Sequence, residues 1–382
     1  MKYVLNSRLR RYRDNFMVTI YRNSEIRKKC KIGDIIIIKI GNENLIKPIQ
    51  ENHCFSLPIN ILKNYQDGEE INLDVIGIYE KEEGKKRPSF TIINNLMDLR
   101  YFVPLKTQFD TQIYILQKDS NSSYLWYPRG GYTRPITIRN YINPIELSEL
   151  IGFFYGDGSK SEGLRSFRLT NCEPFILNHC KNIMDNIAIE KSDYRCQITY
   201  SSHEIINDII KQKCIDFWSN VLSIEKKNFV SVHQSFSKKT SLEHGSIRIQ
   251  NNNTVLTELI LYGVLPKLLK IILNPKTKIE HDMMYGFLRG LLAAEGFPSS
   301  HKGHLRKVEI AYNPHSNESE IYAKILSNMQ IPSTRRKQGN SLTVYRYENF
   351  LKLYKIKAFS LYPSKNIKFE NDFSTLEKAM RK

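Results

Sequence analysis

The sequence lacks any pair of cysteines at metal-ligand or dithiol spacing. Its six, Cys30, Cys54, Cys172, Cys180, Cys196 and Cys214, are scattered. That excludes a zinc site built on CxxC pairs and reads as reduced thiols of a cytoplasmic protein, several of them in the core. Long apolar runs are also missing. The most apolar stretch, residues 259–273, is broken by Pro266, Lys267 and Lys270, so no membrane span is expected. The start, Met1-Lys2-Tyr3-Val4-Leu5, leads into basic residues and not into the apolar core of a secretory signal. Acidic residues are scarce, 39 against 57 Lys and Arg, for a formal charge of +18. This imbalance favours a polyanionic partner, most simply nucleic acid, although a Lys-, Ile- and Asn-rich proteome would produce a similar total.

The 382 residues are enough for two or three domains, and 41% hydrophobic content is that of a globular chain. The basic excess is uneven. Residues 1–100 carry 18 Lys/Arg against 13 Asp/Glu, residues 101–300 carry 23 against 19, and residues 301–382 carry 16 against 7. The last fifth of the chain thus supplies half of the net charge.

A faint repeat with an offset of 35 runs through the first eighty residues. Ile26, Lys28, Gly33, Asp34, Ile36, Ile38 and Ile40 align without a gap on Ile61, Lys63, Gly68, Glu69, Ile71, Leu73 and Val75. Each copy reads as a strand, a short helix, a Gly-acid turn and an alternating strand. Neither copy can bury a face alone, so the two are expected to intertwine into one small, mostly β barrel over residues 1–100. The pattern resembles the swapped-hairpin and double-psi barrels of AbrB-type DNA-binding domains; a plain structural barrel would read the same way. Residues 101–143 read as a β-rich connector, in which Tyr127-Pro128-Arg129-Gly130-Gly131 forms a hairpin tip.

Two segments further on are variants of one another: Leu150-Ile151-Gly152-Phe153-Phe154-Tyr155-Gly156-Asp157-Gly158 and Leu288-Arg289-Gly290-Leu291-Leu292-Ala293-Ala294-Glu295-Gly296. Each is an apolar helical run closed by a carboxylate and a glycine. The first helix has a sharp start in Asn143, Pro144 and Glu146. Gly152 and Gly156, like Gly286, Gly290 and Ala294, lie four residues apart and share a helix face. A stripe without bulky side chains lets two helix backbones meet, which brings Asp157 and Glu295 together. A similar order of elements follows each motif: strand, helix and strand at 164–171, 173–187 and 194–200, and again at 308–313, 318–329 and 342–347.

These segments resemble the paired signature of the LAGLIDADG homing endonucleases, and the resemblance covers roughly residues 144–370. It implies an α+β fold of two pseudo-symmetric αββαββα half-domains, residues 144–283 (with an insertion) and 284–382, each with a curved antiparallel DNA-binding sheet. The chain would act as a monomer with an internal pseudo-two-fold axis. Met1 at the start and Met380-Arg381-Lys382 at the end lack the residues of an intein, so a free-standing, intron-encoded enzyme is expected.

The chemistry follows from the two acids. Asp157 and Glu295 repel each other, and each sits at a helix C-terminus whose dipole disfavours negative charge. Mg²⁺, with Mn²⁺ able to substitute, relieves both. The resemblance implies the carbonyls of Gly156 and Ala294 as further ligands and hydrolysis of double-stranded DNA. Alternating strands then offer Ser166, Arg168 and Thr170, Arg195, Gln197 and Thr199, and Ser246, Arg248 and Gln250 to base edges. Lys307, Arg335, Arg336, Lys337 and Arg346 are further DNA-contact candidates, the Arg335–Lys337 run for phosphate. His233, His244, His301 and His304 read as surface residues. The alternative on the same scaffold is a catalytically silent DNA- or RNA-binding protein, an intron maturase or a transcription regulator. Either would be cytoplasmic, and nucleoid-associated when bound to DNA.

Overall fold

The computed structural model describes residues 2–128, 135–159, 166–189, 194–236, 243–336 and 339–381. The hairpin-tip residues Arg129, Gly130 and Gly131 and the DNA-contact candidate Lys337 lie outside them. The chain divides into two units. One comprises Met1–Ile92, Asp98–Tyr141 and Ala188–Glu190; the other comprises Ile93–Met97, Ile142–Ile187 and Lys191–Lys382. Among the described residues no helix is long and apolar enough to cross a membrane.

In the first unit, alternating strands build an antiparallel sheet of six: β1 (Tyr3–Tyr12), β2 (Asn15–Thr19), β3 (Ile35–Ile40), β4 (Glu43–Pro48), β5 (Cys54–Pro58) and β6 (Glu70–Tyr79). Their order, β4-β3-β6-β1-β2-β5, interleaves the two halves of the repeat region. The two repeat strands β3 and β6 pair directly, with Ile38 opposite Val75. Gly33 (φ 88°) and Gly68 (φ 84°), matched in the repeat, both take the left-handed conformation that glycine adopts without a Cβ penalty. The end strands β4 and β5 come together, so the sheet is nearly closed around Leu5, Leu9, Phe16, Val18, Phe55 and Leu73. One expectation fails. The first copy has its short helix, α1 (Glu25–Lys29), capped by Ser24, but the second has only successive turns after Pro58.

The run Ile35-Ile36-Ile37-Ile38 is buried throughout, because the strand is covered on both faces. Ile36 and Ile38 point into the barrel core. Ile35 and Ile37, with Ile46, pack against Leu116, Tyr124 and Trp126. Those residues belong to β7 (Tyr114–Gln117) and β8 (Ser122–Trp126), which with β9 (Ile136–Arg139) form a three-stranded sheet. The segment expected to be a connector is therefore a structural part of the first unit.

The second unit contains both motifs. Its first half runs α2 (Pro144–Asp157), β10 (Phe167–Asn171), α3 (Pro174–Ile187), β11 (Tyr194–Ser201), α4 (Asp208–Leu222), β12 (Phe229–Ser235) and β13 (Ser246–Asn251). A helical stretch follows: α5 (Thr254–Thr257), a π-helical segment (Glu258–Val264) and α6 (Leu265–Ile272). The second half runs α7 (Lys278–Glu295), β14 (Gly296–His301), β15 (His304–Ala311), α8 (Glu318–Asn328), β16 (Ser333–Arg336), β17 (Ser341–Val344), α9 (Tyr347–Lys355) and α10 (Pro363–Met380). The expected boundary at 283/284 falls inside α7, whose capping box at Thr277 and Glu280 fixes its start.

The four-stranded sheets have orders β10-β13-β11-β12 and β14-β15-β17-β16. The first is not wholly antiparallel. The insertion around α4 carries the chain over, so β12 joins β11 in parallel at the sheet edge.

Helices α2 and α7 run side by side in the same direction with their glycine stripes touching. A Cβ on Gly152 would lie 2.0 Å from the Phe287 carbonyl oxygen, and one on Gly290 2.1 Å from that of Glu149. Backbone, which cannot turn aside, occupies the space a methyl would need. We expect Gly290→Ala to destabilise the second unit by roughly 1–3 kcal/mol or more through overpacking. Chemical denaturation should show a lowered midpoint, and an unchanged midpoint would contradict this packing.

Candidate functional site

The same stripe delivers the two acids. Gly156 is so close to the partner helix that a Cβ on it would lie 2.3 Å from Ala294 Cβ and 3.0 Å from Glu295 Cγ. Asp157, one residue on, and Glu295 thus emerge together at the C-terminal ends of α2 and α7. Asn171, the last residue of β10, donates from Nδ2 to Asp157 Oδ2 at 2.5 Å, while its Oδ1 accepts the amides of Cys172 and Glu173. Gly158 and Gly296 follow in extended conformation (φ −86° and −80°), each amide donating back into its helix.

A lysine completes the site. Lys365, in the first turn of α10, donates from Nζ to the carbonyls of Ala293 (2.7 Å), Ala294 (3.1 Å) and Leu292 (3.4 Å). Its ammonium lies 4.4 Å from the centre of the Tyr362 ring. Burial pulls the Lys365 pKa down to about 8, and Asp157 and Glu295 act against that pull. The Ala294 carbonyl, expected to bind metal, is thus a lysine acceptor. Among the described residues no three His, Cys, Asp or Glu side chains gather where they could hold a metal ion. On the side of Glu295, burial and then the charges of Glu318 and Glu295 push the Tyr322 phenol far above its ordinary range.

The first sheet gathers most of the expected DNA-facing residues on one surface. Cross-strand register puts Arg168, Gln250 and Arg195 in one row and Thr170, Arg248 and Gln197 in the next, with Ser246 opposite Thr199. Arg195, Thr199 and Arg248 are exposed and the others half-buried. Ser166 is a correction. It is 5% exposed and accepts a hydrogen bond from Arg168 Nε, so it supports that arginine from beneath. The insertion extends this face in a way sequence reasoning missed. His233 stands opposite Thr199 and Ser231 opposite Gln197, and the two side chains hydrogen-bond at 2.8 Å.

The second sheet departs further from expectation. Lys307 and Arg336 share its polar face, but Glu309 holds both, at 2.8 and 3.6 Å. Arg335 pairs with Leu342 and so lies on the opposite face from Arg336. Arg346 is exposed but on no strand: β17 ends at Val344, and Arg346 caps α9 with φ 79°. Phe297, opposite Glu309, is 54% exposed on the polar face and was not foreseen. Of the histidines, His233 and His301 are exposed, but His244 stacks on Phe217 and His304 is half-buried.

A second charged cluster lies midway along the helix pair. Buried Glu149 accepts from Arg289 Nε at 2.8 Å and Nη2 at 2.7 Å and pairs with His179 Nε2 at 2.8 Å. Opposite charges placed within two apolar helices were its sequence signal. Burial alone would raise the Glu149 pKa, but the His179 hydrogen bond and the Arg289 charge hold it below the usual carboxylate range. The unfolded carboxyl therefore binds protons more readily, and the stability this group contributes is present above its unfolded pKa and lost as pH falls through the folded value. Glu149→Gln, which strands a buried arginine, should cost roughly 3–5 kcal/mol at neutral pH. It should also flatten the loss of stability below about pH 4.3, the ordinary glutamate pKa. Denaturation midpoints across pH check both, and equal acid slopes in the two proteins would refute the linkage.

No family model matches the chain, and no curated protein matches it. Among solved structures it is similar to full-length DUF199/WhiA from Thermatoga maritima, with 13% identity and a TM-score of 0.35 over 63% of this chain and 61% of that one. The chain thus spans about three fifths of that protein's length. It is also similar to the N-terminal LAGLIDADG domain of DUF199/WhiA, with 15% identity and a TM-score of 0.31 over 56% of this chain and 82% of the domain.

Proposed function

We propose that the second unit is a LAGLIDADG-type module that binds double-stranded DNA as a monomer, its halves related by an approximate two-fold axis, and that sequence recognition is its primary role. The observation that carries this reading is the polar face of the first sheet, where two adjacent rows present Arg168, Gln250 and Arg195, and Thr170, Arg248 and Gln197. Guanidinium and carboxamide groups on a β-ribbon suit guanine and adenine edges in the major groove. The surplus of 57 basic over 39 acidic residues supplies attraction to phosphate.

Selection from a random duplex library, followed by anisotropy titration, tests the proposal. An enriched sequence should emerge. Arg195→Ala and Arg248→Ala should each weaken its binding by about 5- to 150-fold, corresponding to roughly 1–3 kcal/mol for a bidentate base contact. A library that stays random through selection would sink sequence recognition.

Strand cleavage is the second reading, favoured by the meeting of Asp157 and Glu295 at the helix ends. Mg²⁺ held by these acids would polarise the phosphate and activate water. A supercoiled plasmid carrying the flanks of the encoding locus, incubated with Mg²⁺ or Mn²⁺, separates the readings. Recognition alone leaves the plasmid supercoiled. Linear product that vanishes in both Asp157→Asn and Glu295→Gln would establish the endonuclease.

A further inference from the structure

We propose that the Lys365 ammonium is the resident cation of the Asp157–Glu295 pair and closes this site to divalent metal. The last carbonyls of a helix have no intrahelical donors, and they carry the negative end of its dipole. At the end of α7 two of them, from Ala293 and Ala294, converge on one lysine nitrogen, and the Leu292 carbonyl, which also accepts the Gly296 amide, lies 3.4 Å from it. The two carboxylates, next in sequence to Gly156 and Ala294 where the helices touch, add further negative charge at the same place.

Lys365 is itself placed in the first turn of α10, after Pro363, where the helix dipole repels a cation. Its side chain therefore gains twice by reaching across to α7. One turn further along α10, Lys368 donates to Ser300 Oγ at 2.7 Å and Asp372 Oδ2 at 2.6 Å, which ties the helix to β14 and holds Lys365 in place. The Tyr362 ring covers the ammonium from one side. A divalent ion bound through the Ala294 carbonyl and the acids would need the position of this tethered positive charge. The inference rests on the helix-end site and not on DNA recognition, so failure to bind DNA would leave it standing; it opposes the strand-cleavage reading, which needs Mg²⁺ at these acids.

Manganese binding by the full-length chain is the test, read by electron paramagnetic resonance of free Mn²⁺ and by nitrogen-15 NMR of the lysine ammonium groups. In the wild type we expect no Mn²⁺ whose binding depends on Asp157 and Glu295, and a Lys365 ammonium signal that survives Mn²⁺ addition. Lys365→Met and Lys365→Gln, checked for folding by circular dichroism, should each gain one Mn²⁺ per chain, lost again when Asp157→Asn and Glu295→Gln are added. Wild-type binding that those two acid substitutions abolish would overturn the proposal, as would bleaching of the Lys365 signal by Mn²⁺. Folded Lys365 variants that gain no site would overturn it as well.

Discussion

Two helix backbones in the second unit touch with nothing between them. Gly152 lies on the carbonyl of Phe287 and Gly290 on that of Glu149, at separations that admit no side-chain carbon. β14 begins directly where α7 ends, and Gly158, just past α2, bridges Leu169 of β10, so this contact anchors both sheets. It also forces together whatever the helices carry. Two acids at the C-terminal ends become neighbours, and a glutamate buried midway must find partners. Lys365 reaches the carbonyls at the end of α7, and Arg289 and His179 meet the glutamate in the middle. Close backbone approach leaves little room for water to solvate the buried glutamate, so side chains from two other helices answer its charge.

The helix pair was legible because its signal is local. Small residues four apart, a carboxylate and a glycine stand in one short stretch, twice. The faces of β10, β11 and β13 were legible for the same reason, since period-two alternation fixes which side chains share a surface. Lys365 was not legible: 70 residues separate it from Glu295, and nothing around Pro363-Ser364-Lys365 names the carbonyls it reaches. The error at Ser166 came from extending a parity rule past the end of a strand. That at Arg335 came from treating a basic run as one surface, although neighbours on a strand point to opposite faces. Arg346 was placed on a strand that had already ended.

The barrel shows the reverse balance. A repeat of low identity correctly foretold interleaving, because neither copy has enough alternating strands to bury its own apolar face. The run Ile35–Ile38 was harder to interpret. Four consecutive isoleucines suit a strand covered on both faces, but the covering sheet comes from residues some 80 positions later, which the repeat does not describe.

The ion pairs of Glu309 bear on how this protein would respond to salt. Salt sensitivity of DNA binding counts the phosphates that protein cations neutralise, at about 0.9 in the logarithmic slope for each. Lys307 and Arg336 already share one internal anion, so the three residues together would bring a single net positive charge to any duplex this sheet met. To grip phosphate they must first release the glutamate, which then stays beside a polyanion and attracts a cation of its own. A census of basic residues on the second sheet therefore overstates the ions released there. If this sheet meets DNA, its binding would therefore weaken with salt more gradually than its count of basic residues implies.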